Sequence, residues 1–155
     1  LRGMGTTVVL AVAEGNTVTI AHAGDSRAYL IHGEELSQLT HDHTVVQMLM
    51  ERGEITEEEA LSHPSRHSLT SALMGKEVPL VDLHDECFPL LPGDRLLVAS
   101  DGVGPYLDSL GPAGMRYLSL LSAEELVRSV LDGIGRDGAP NQDNATLICV
   151  EITGA

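Results

Sequence analysis

The first forty positions are a series of β-rich apolar runs broken by polar turn residues. The runs are Thr6–Ala13, Thr17–Ala23, Arg27–Ile31 and Leu36–Leu39. They are separated by turn chemistry at Glu14-Gly15-Asn16, Gly24-Asp25-Ser26 and His32-Gly33-Glu34. This predicts an antiparallel meander. The rhythm becomes helical after Thr40-His41-Asp42-His43-Thr44, where Val45, Val46, Met48, Leu49 and Met50 share a face. Thr44 with Gln47 and Thr56 with Glu59 have capping-box spacing, so two short helices flank Arg52-Gly53 as an inserted flap ending at His63-Pro64. Arg66–Met74 reads as short helical or irregular chain stopped by Gly75.

Strand alternation returns over Leu80–Phe88, and Pro89–Asp94 turns the chain into Arg95 and the apolar run Leu96-Leu97-Val98-Ala99, the pattern of a buried central strand. Gly104-Pro105 and Gly111–Gly114 then predict a loop-rich stretch. Ser122 with Glu125 caps a helix with Leu126, Val127, Val130 and Leu131 on its apolar face, stopped at Gly133. Residues 135–142 read as a flexible linker into a last strand, Ala145–Ile152. Strands with helices outside them give an α+β layered domain.

Two acids bracket the strongest strands. Asp101-Gly102 follows the central strand, and Asp143-Asn144 precedes the last one. Each alone is ordinary turn chemistry. If the strands are antiparallel neighbours, however, Asp101 and Asp143 meet at one edge. Like charges that close are unfavourable unless one is protonated or a cation lies between them, and oxygen-only ligands point to Mg²⁺ or Mn²⁺.

His41-Asp42-His43 has zinc-ligand residue types, but in extended chain His41 and His43 point to opposite faces. Asp42 is read either as a cap of the following helix or as a metal ligand. Gly24-Asp25-Ser26-Arg27 reads as a hairpin turn with Asp25 bonding the turn backbone. His22, His32, His63, His67 and His84 are scattered along the chain and read as core or surface residues.

The 155 residues are one domain's worth, and a net charge of −14 disfavours nucleic acid and anionic membranes as partners while favouring divalent cations. No apolar run is long enough to span a bilayer. Cys87 and Cys149 lack metal-ligand spacing and read as reduced thiols of a cytoplasmic protein.

Several short matches occur in one order along the chain: Gly3-Met4-Gly5-Thr6-Thr7, Ala23-Gly24-Asp25-Ser26-Arg27, Leu39-Thr40-His41-Asp42-His43, His63-Pro64, Leu69-Thr70-Ser71-Ala72-Leu73, Pro92-Gly93-Asp94, Ser100-Asp101-Gly102 and Asp143-Asn144-Ala145-Thr146. As an ordered set they resemble the C-terminal two-thirds of a metal-dependent protein serine/threonine phosphatase of the PPM (protein phosphatase 2C) family, bacterial type. The resemblance implies an antiparallel β-sandwich flanked by helices, with residues 1–155 a partial catalytic domain and residues 44–64 approximately its flap. It also implies hydrolysis of phosphoserine and phosphothreonine in proteins by a metal-activated water. Asp101 and Asp143 match ligands of two Mn²⁺ or Mg²⁺ ions, and Asp42 matches the acid that helps hold a third, looser one. The implied protein is cytoplasmic, acts on phosphorylated proteins, uses neither nucleic acid nor membrane, and is a monomer when complete.

Three departures from the family pattern carry expectations. The family's earlier acidic segment is not seen before Leu1, so the fragment alone is expected to expose strand edges and to aggregate or remain partly ordered. Ser71 replaces a common basic residue and is expected to loosen the flap. Gly104-Pro105 is expected to disrupt the helix start beside Asp101. That last feature supports a rival reading as a pseudophosphatase or regulatory module; an acidic metal-binding interaction domain is a third.

Overall fold

A computed structural model describes residues 4–75, 77–138 and 142–154, and within residues 85–88 the backbone alone. Gly3, Asn141, residues 139–141 of the expected linker and the Cys87 side chain lie outside the described residues. The strands are β1 (Val8–Glu14), β2 (Thr17–Ala23), β3 (Arg27–His32), β4 (Glu35–Gln38), β5 (Asp82–Pro89), β6 (Arg95–Ala99) and β7 (Leu147–Glu151). The helices are α1 (Val45–Glu51), α2 (Glu57–Ser62), α3 (Gly104–Ser109), α4 (Pro112–Ser119) and α5 (Ala123–Asp137).

The strands make two antiparallel sheets, ordered β1-β2-β5 and β4-β3-β6-β7. The expected four-strand meander is thus two hairpins in two different sheets. The chain changes sheets at Gly24, whose φ of 115° is left-handed and whose missing Cβ leaves room for Thr7. Alternation forecasts strands, but it does not say which strand a neighbour pairs with.

Val18, Ile20, Ala28, Leu90 and Leu96 are buried together between the sheets, which fixes them face to face. On the other face of the second sheet, Tyr29, Ile31, Leu97 and Leu147 pack against Val103, Leu107, Leu118, Leu126 and Val130. β6 is buried on both faces, which explains its unbroken apolar sequence.

Three local expectations are corrected. The stretch after Asp101 is not loop-rich but forms α3 and α4, each with proline in its first turn, where the missing N–H costs nothing. Pro105 therefore begins α3 rather than disrupting it. α5 passes through Gly133 and ends at Gly138, whose φ of 55° makes the left-handed cap. Gly133 is buried inside α5 because the Tyr106 ring occupies the space a side chain would need.

The capping expectations hold at α2 and α5, where Thr56–Glu59 and Ser122–Glu125 form full capping boxes, and half hold at α1, where Thr44 accepts from the Gln47 amide. The stretch from Arg66 is irregular and is tied in by isolated bridges Thr44↔Leu69 and Thr6↔Leu73. Among the described residues no helix is long and apolar enough to cross a membrane.

Candidate metal centre

β6 and β7 are antiparallel neighbours, with Ala99 opposite Leu147. Residues just beyond that pair continue the contact: the Ser100 amide donates to Thr146 O at 3.0 Å, and Ser100 Oγ donates to Asn144 O at 3.1 Å. The Thr146 amide donates to Ser100 Oγ at 3.0 Å. Gln142 Nε2 donates to Gly102 O at 2.8 Å and to Asp143 O at 2.9 Å. Gly102 is required by this closeness, since a Cβ there would lie 2.6 Å from Asn144 O and 3.0 Å from Asp143 O. The segments carrying Asp101 and Asp143 therefore lie side by side at one edge, as the mirrored acids suggest.

Each of these carboxylates is held in its own turn. Asp101 Oδ1 accepts from the Gly102 amide at 2.9 Å, and Asp143 Oδ1 accepts from the Asn144 amide at 2.7 Å. In both, Oδ2 has no hydrogen bond among the described residues.

A third acid arrives that local sequence reasoning took for turn chemistry. Asp25 lies in the crossover between the sheets, and its carboxyl pKa is raised, first by burial and then by the nearby Asp101 charge, with Asp42 adding to it. Ionised carboxylates gathered in this way favour a cation. The signal for Asp25 in the sequence was its place beside Arg27 rather than any spacing to Asp101.

Asp42 is differently engaged. Arg27 grips it with two hydrogen bonds, Nε to Oδ1 at 2.9 Å and Nη2 to Oδ2 at 2.8 Å, the paired geometry that suits guanidinium and carboxylate. Arg27 Nη1 also donates to Tyr29 Oη at 3.1 Å. Asp42 holds the Arg27 pKa above its ordinary value against the opposing effect of burial, which is the largest single influence. Both Asp42 oxygens are thus occupied, and the residue ties the loop before α1 to β3 beside Asp25.

The irregular stretch after α2 is tied to the chain that leads into β5. Ser71 is buried; its Oγ donates to Leu80 O at 2.6 Å and accepts from the Leu80 amide at 3.1 Å. A hydroxyl both donates and accepts, so Ser71 serves both backbone groups of Leu80. A cleft of about 1000 Å³ runs between this stretch and the Asp143 turn, lined by Thr6, Thr7, Thr70, Ser71, Asp143 and Asn144 among others.

Two of the histidines that are scattered along the chain, His22 and His84, lie together with His43 in space. His22 and His43 are buried with ring centroids 4.5 Å apart, and the His22 and His84 rings stack at 6.2 Å.

Known proteins resemble the chain in sequence and in fold. The protein phosphatase 2C family model matches residues 2–58. The serine/threonine protein phosphatase PstP of Mycobacterium tuberculosis is 37% identical over 154 residues, covering 98% of this chain and 28% of the relative, so the chain spans well under half of that protein. The crystal structure of the M. tuberculosis phosphatase PstP/Ppp superposes with a TM-score of 0.83 at 36% identity, covering 99% of this chain and 63% of that one. A structure of the PstP catalytic domain in complex with two manganese ions superposes with a TM-score of 0.78 at 32% identity, covering 99% and 61%.

Proposed function

Because this chain belongs to the protein phosphatase 2C (PPM) family, we propose that the protein carrying it hydrolyses phosphoserine and phosphothreonine in proteins, using Mn²⁺ or Mg²⁺. The observation that carries the reading is the meeting of the Asp101 and Asp143 segments at one sheet edge. The donor set is carboxylate oxygen throughout, which fits hard divalent cations. The manganese in a relative of the same fold supports the same chemistry.

We assign Asp101 and Asp143 as ligands of the paired ions. For the third, looser ion we assign Asp42, which the Arg27 guanidinium holds in place through both oxygens, with Asp25 as a further candidate on the same side of the sheets. When bound, such ions supply clamping of phosphate oxygens and a water acidic enough to attack phosphorus. The chain's own residues do the positioning. Gly102 lets the two acid-bearing segments approach, Ser100 and Gln142 lock them together, and the Arg27–Asp42 pair fixes the turn that carries Asp25. The cleft beside Asp143 gives a phosphorylated segment access to that edge, and residues 44–64 are the flap, whose Thr44, Gln47, Met48 and Glu51 line a separate cleft. Action in the cytoplasm and as a monomer belongs to the same proposal.

The test is Mn²⁺-dependent hydrolysis of a phosphothreonine peptide by the full-length protein, wild type beside Asp101→Asn and Asp143→Asn. Metal-dependent turnover that falls at least roughly 100-fold in both variants supports the reading. A folded wild type that is inert with every divalent metal overturns it in favour of a pseudophosphatase.

A further inference from the structure

We propose that His22, His43 and Asp82 form a second metal site, nitrogen-rich and selective for Zn²⁺-like ions, behind the oxygen-only acids. The ligand atoms these three residues offer all lie within 4.8 Å of one another. Zinc bonds of ~2.0–2.2 Å set tetrahedral edges near 3.4 Å, so small side-chain shifts close the site. His43 Nε2 and Asp82 Oδ2 are already 3.3 Å apart.

Two independent features single out these rings. His22 is 1% and His43 3% exposed, yet His22 Nδ1 and His43 Nε2 have no hydrogen-bond partner. Buried polar nitrogens without a hydrogen bond are rare and costly, and His43 Nε2 has only its ion-pair contact with Asp82 Oδ2. Moreover, His22 Nε2 lies 2.6 Å from His41 O. A carbonyl can only accept, so this nitrogen carries the proton and Nδ1 presents its lone pair. A backbone carbonyl fixing the far nitrogen is the usual support of a metal-binding imidazole. Burial also lowers the His22 pKa, keeping the ring neutral, as ligation requires.

The elements bring the ligands together without help from the catalytic acids. His22 on β2 is paired in register with Asp82 on β5, and His43 is held in place by its amide, which donates to Gly24 O at 2.9 Å. A cleft of about 340 Å³ reaches His43 and Asp82 past Thr44, Gln47, Met48 and Glu51, giving an ion an entry path and room for a water as fourth ligand. Imidazole with carboxylate suits Zn²⁺, whereas Mg²⁺ prefers the all-oxygen edge, so the two sites sort metals by donor type.

Binding has a local consequence. The Gly24 amide donates to His43 Nδ1 at 3.3 Å, which places the His43 proton on Nε2. An ion on Nε2 shifts that proton to Nδ1 and ends the long Gly24 contact. The second site thereby acts on the turn that carries Asp25.

The experiment is Zn²⁺ titration by calorimetry of the chelator-treated full-length protein in saturating Mg²⁺, which fills the oxygen-only edge. The wild type is expected to bind one Zn²⁺, His22→Gln and His43→Gln to bind it roughly 100-fold more weakly, and Asp101→Asn to retain it. Unchanged Zn²⁺ affinity in both histidine variants overturns the site. Should those variants fail to fold, X-ray absorption of the wild type with one equivalent of Zn²⁺ decides. Two imidazole nitrogens in the coordination shell support the proposal and an all-oxygen shell overturns it. The readout is binding rather than turnover, so it stands or falls separately from the phosphatase reading.

Discussion

Gly104 lies directly against the Arg27 guanidinium: a Cβ at position 104 would collide with Nη1 and come within 3.1 Å of Tyr29 Oη. The Gly-Pro start of α3 is therefore a fitted feature, with Pro105 beginning the helix and Gly104 leaving space for the arginine that holds Asp42. Gly104→Ala is expected to push Arg27 off Asp42 and to destabilise the fold by about 1–3 kcal/mol, measured by urea denaturation. Arg27→Lys should lose the paired geometry while keeping the charge, and so fall between wild type and Arg27→Ala.

Ser71→Ala removes a hydroxyl that serves both backbone polar groups of Leu80. The expected cost is about 1–3 kcal/mol, because those groups are left without their partner. Amide exchange at Leu80 should accelerate in the variant, and unchanged exchange there would show that the anchor is elsewhere.

Asp25 ionises at a cost in the fold, since burial and then Asp101 raise its pKa. Asp25→Asn is therefore expected to raise the melting temperature in chelator by roughly 2 °C. The same substitution should lower the stabilisation gained on adding Mn²⁺, because that stabilisation grows with the logarithm of the metal affinity. Melting curves with EDTA and with Mn²⁺ check both signs.

His22 carries a lowered pKa, chiefly from burial, with His43 and His84 lowering it further while its bond to the His41 carbonyl and the Asp82 charge oppose them. The unfolded ring takes a proton near its ordinary pKa of about 6.5 before the folded ring does. Stability from this group is thus complete above that value and lost as pH falls below it. Thermal melts of the metal-free protein between about pH 7.5 and 5 should decline less steeply in His22→Gln, whose amide can still donate to His41 O.

Much of this protein is legible in the chain itself. Alternating and continuous apolar runs set the strands, Thr56–Glu59 and Ser122–Glu125 set two helix starts, and the order of short motifs identified the family. The convergence of Asp101 and Asp143 could be read as well, because both acids adjoin strands whose pairing is the simplest available. Local pattern fails where the deciding partner is remote in sequence. Tertiary structure alone separates β2 from β3 into different sheets and brings both Asp42 oxygens to Arg27. It also makes Gly104 and Gly133 clearances for Arg27 and Tyr106, where sequence alone suggests breaks, and gathers His22, His43 and Asp82 from three separate segments. Periodicity reports which face of an element is buried, whereas side-chain partnership depends on how faces are brought together, and only the packed sheets decide that.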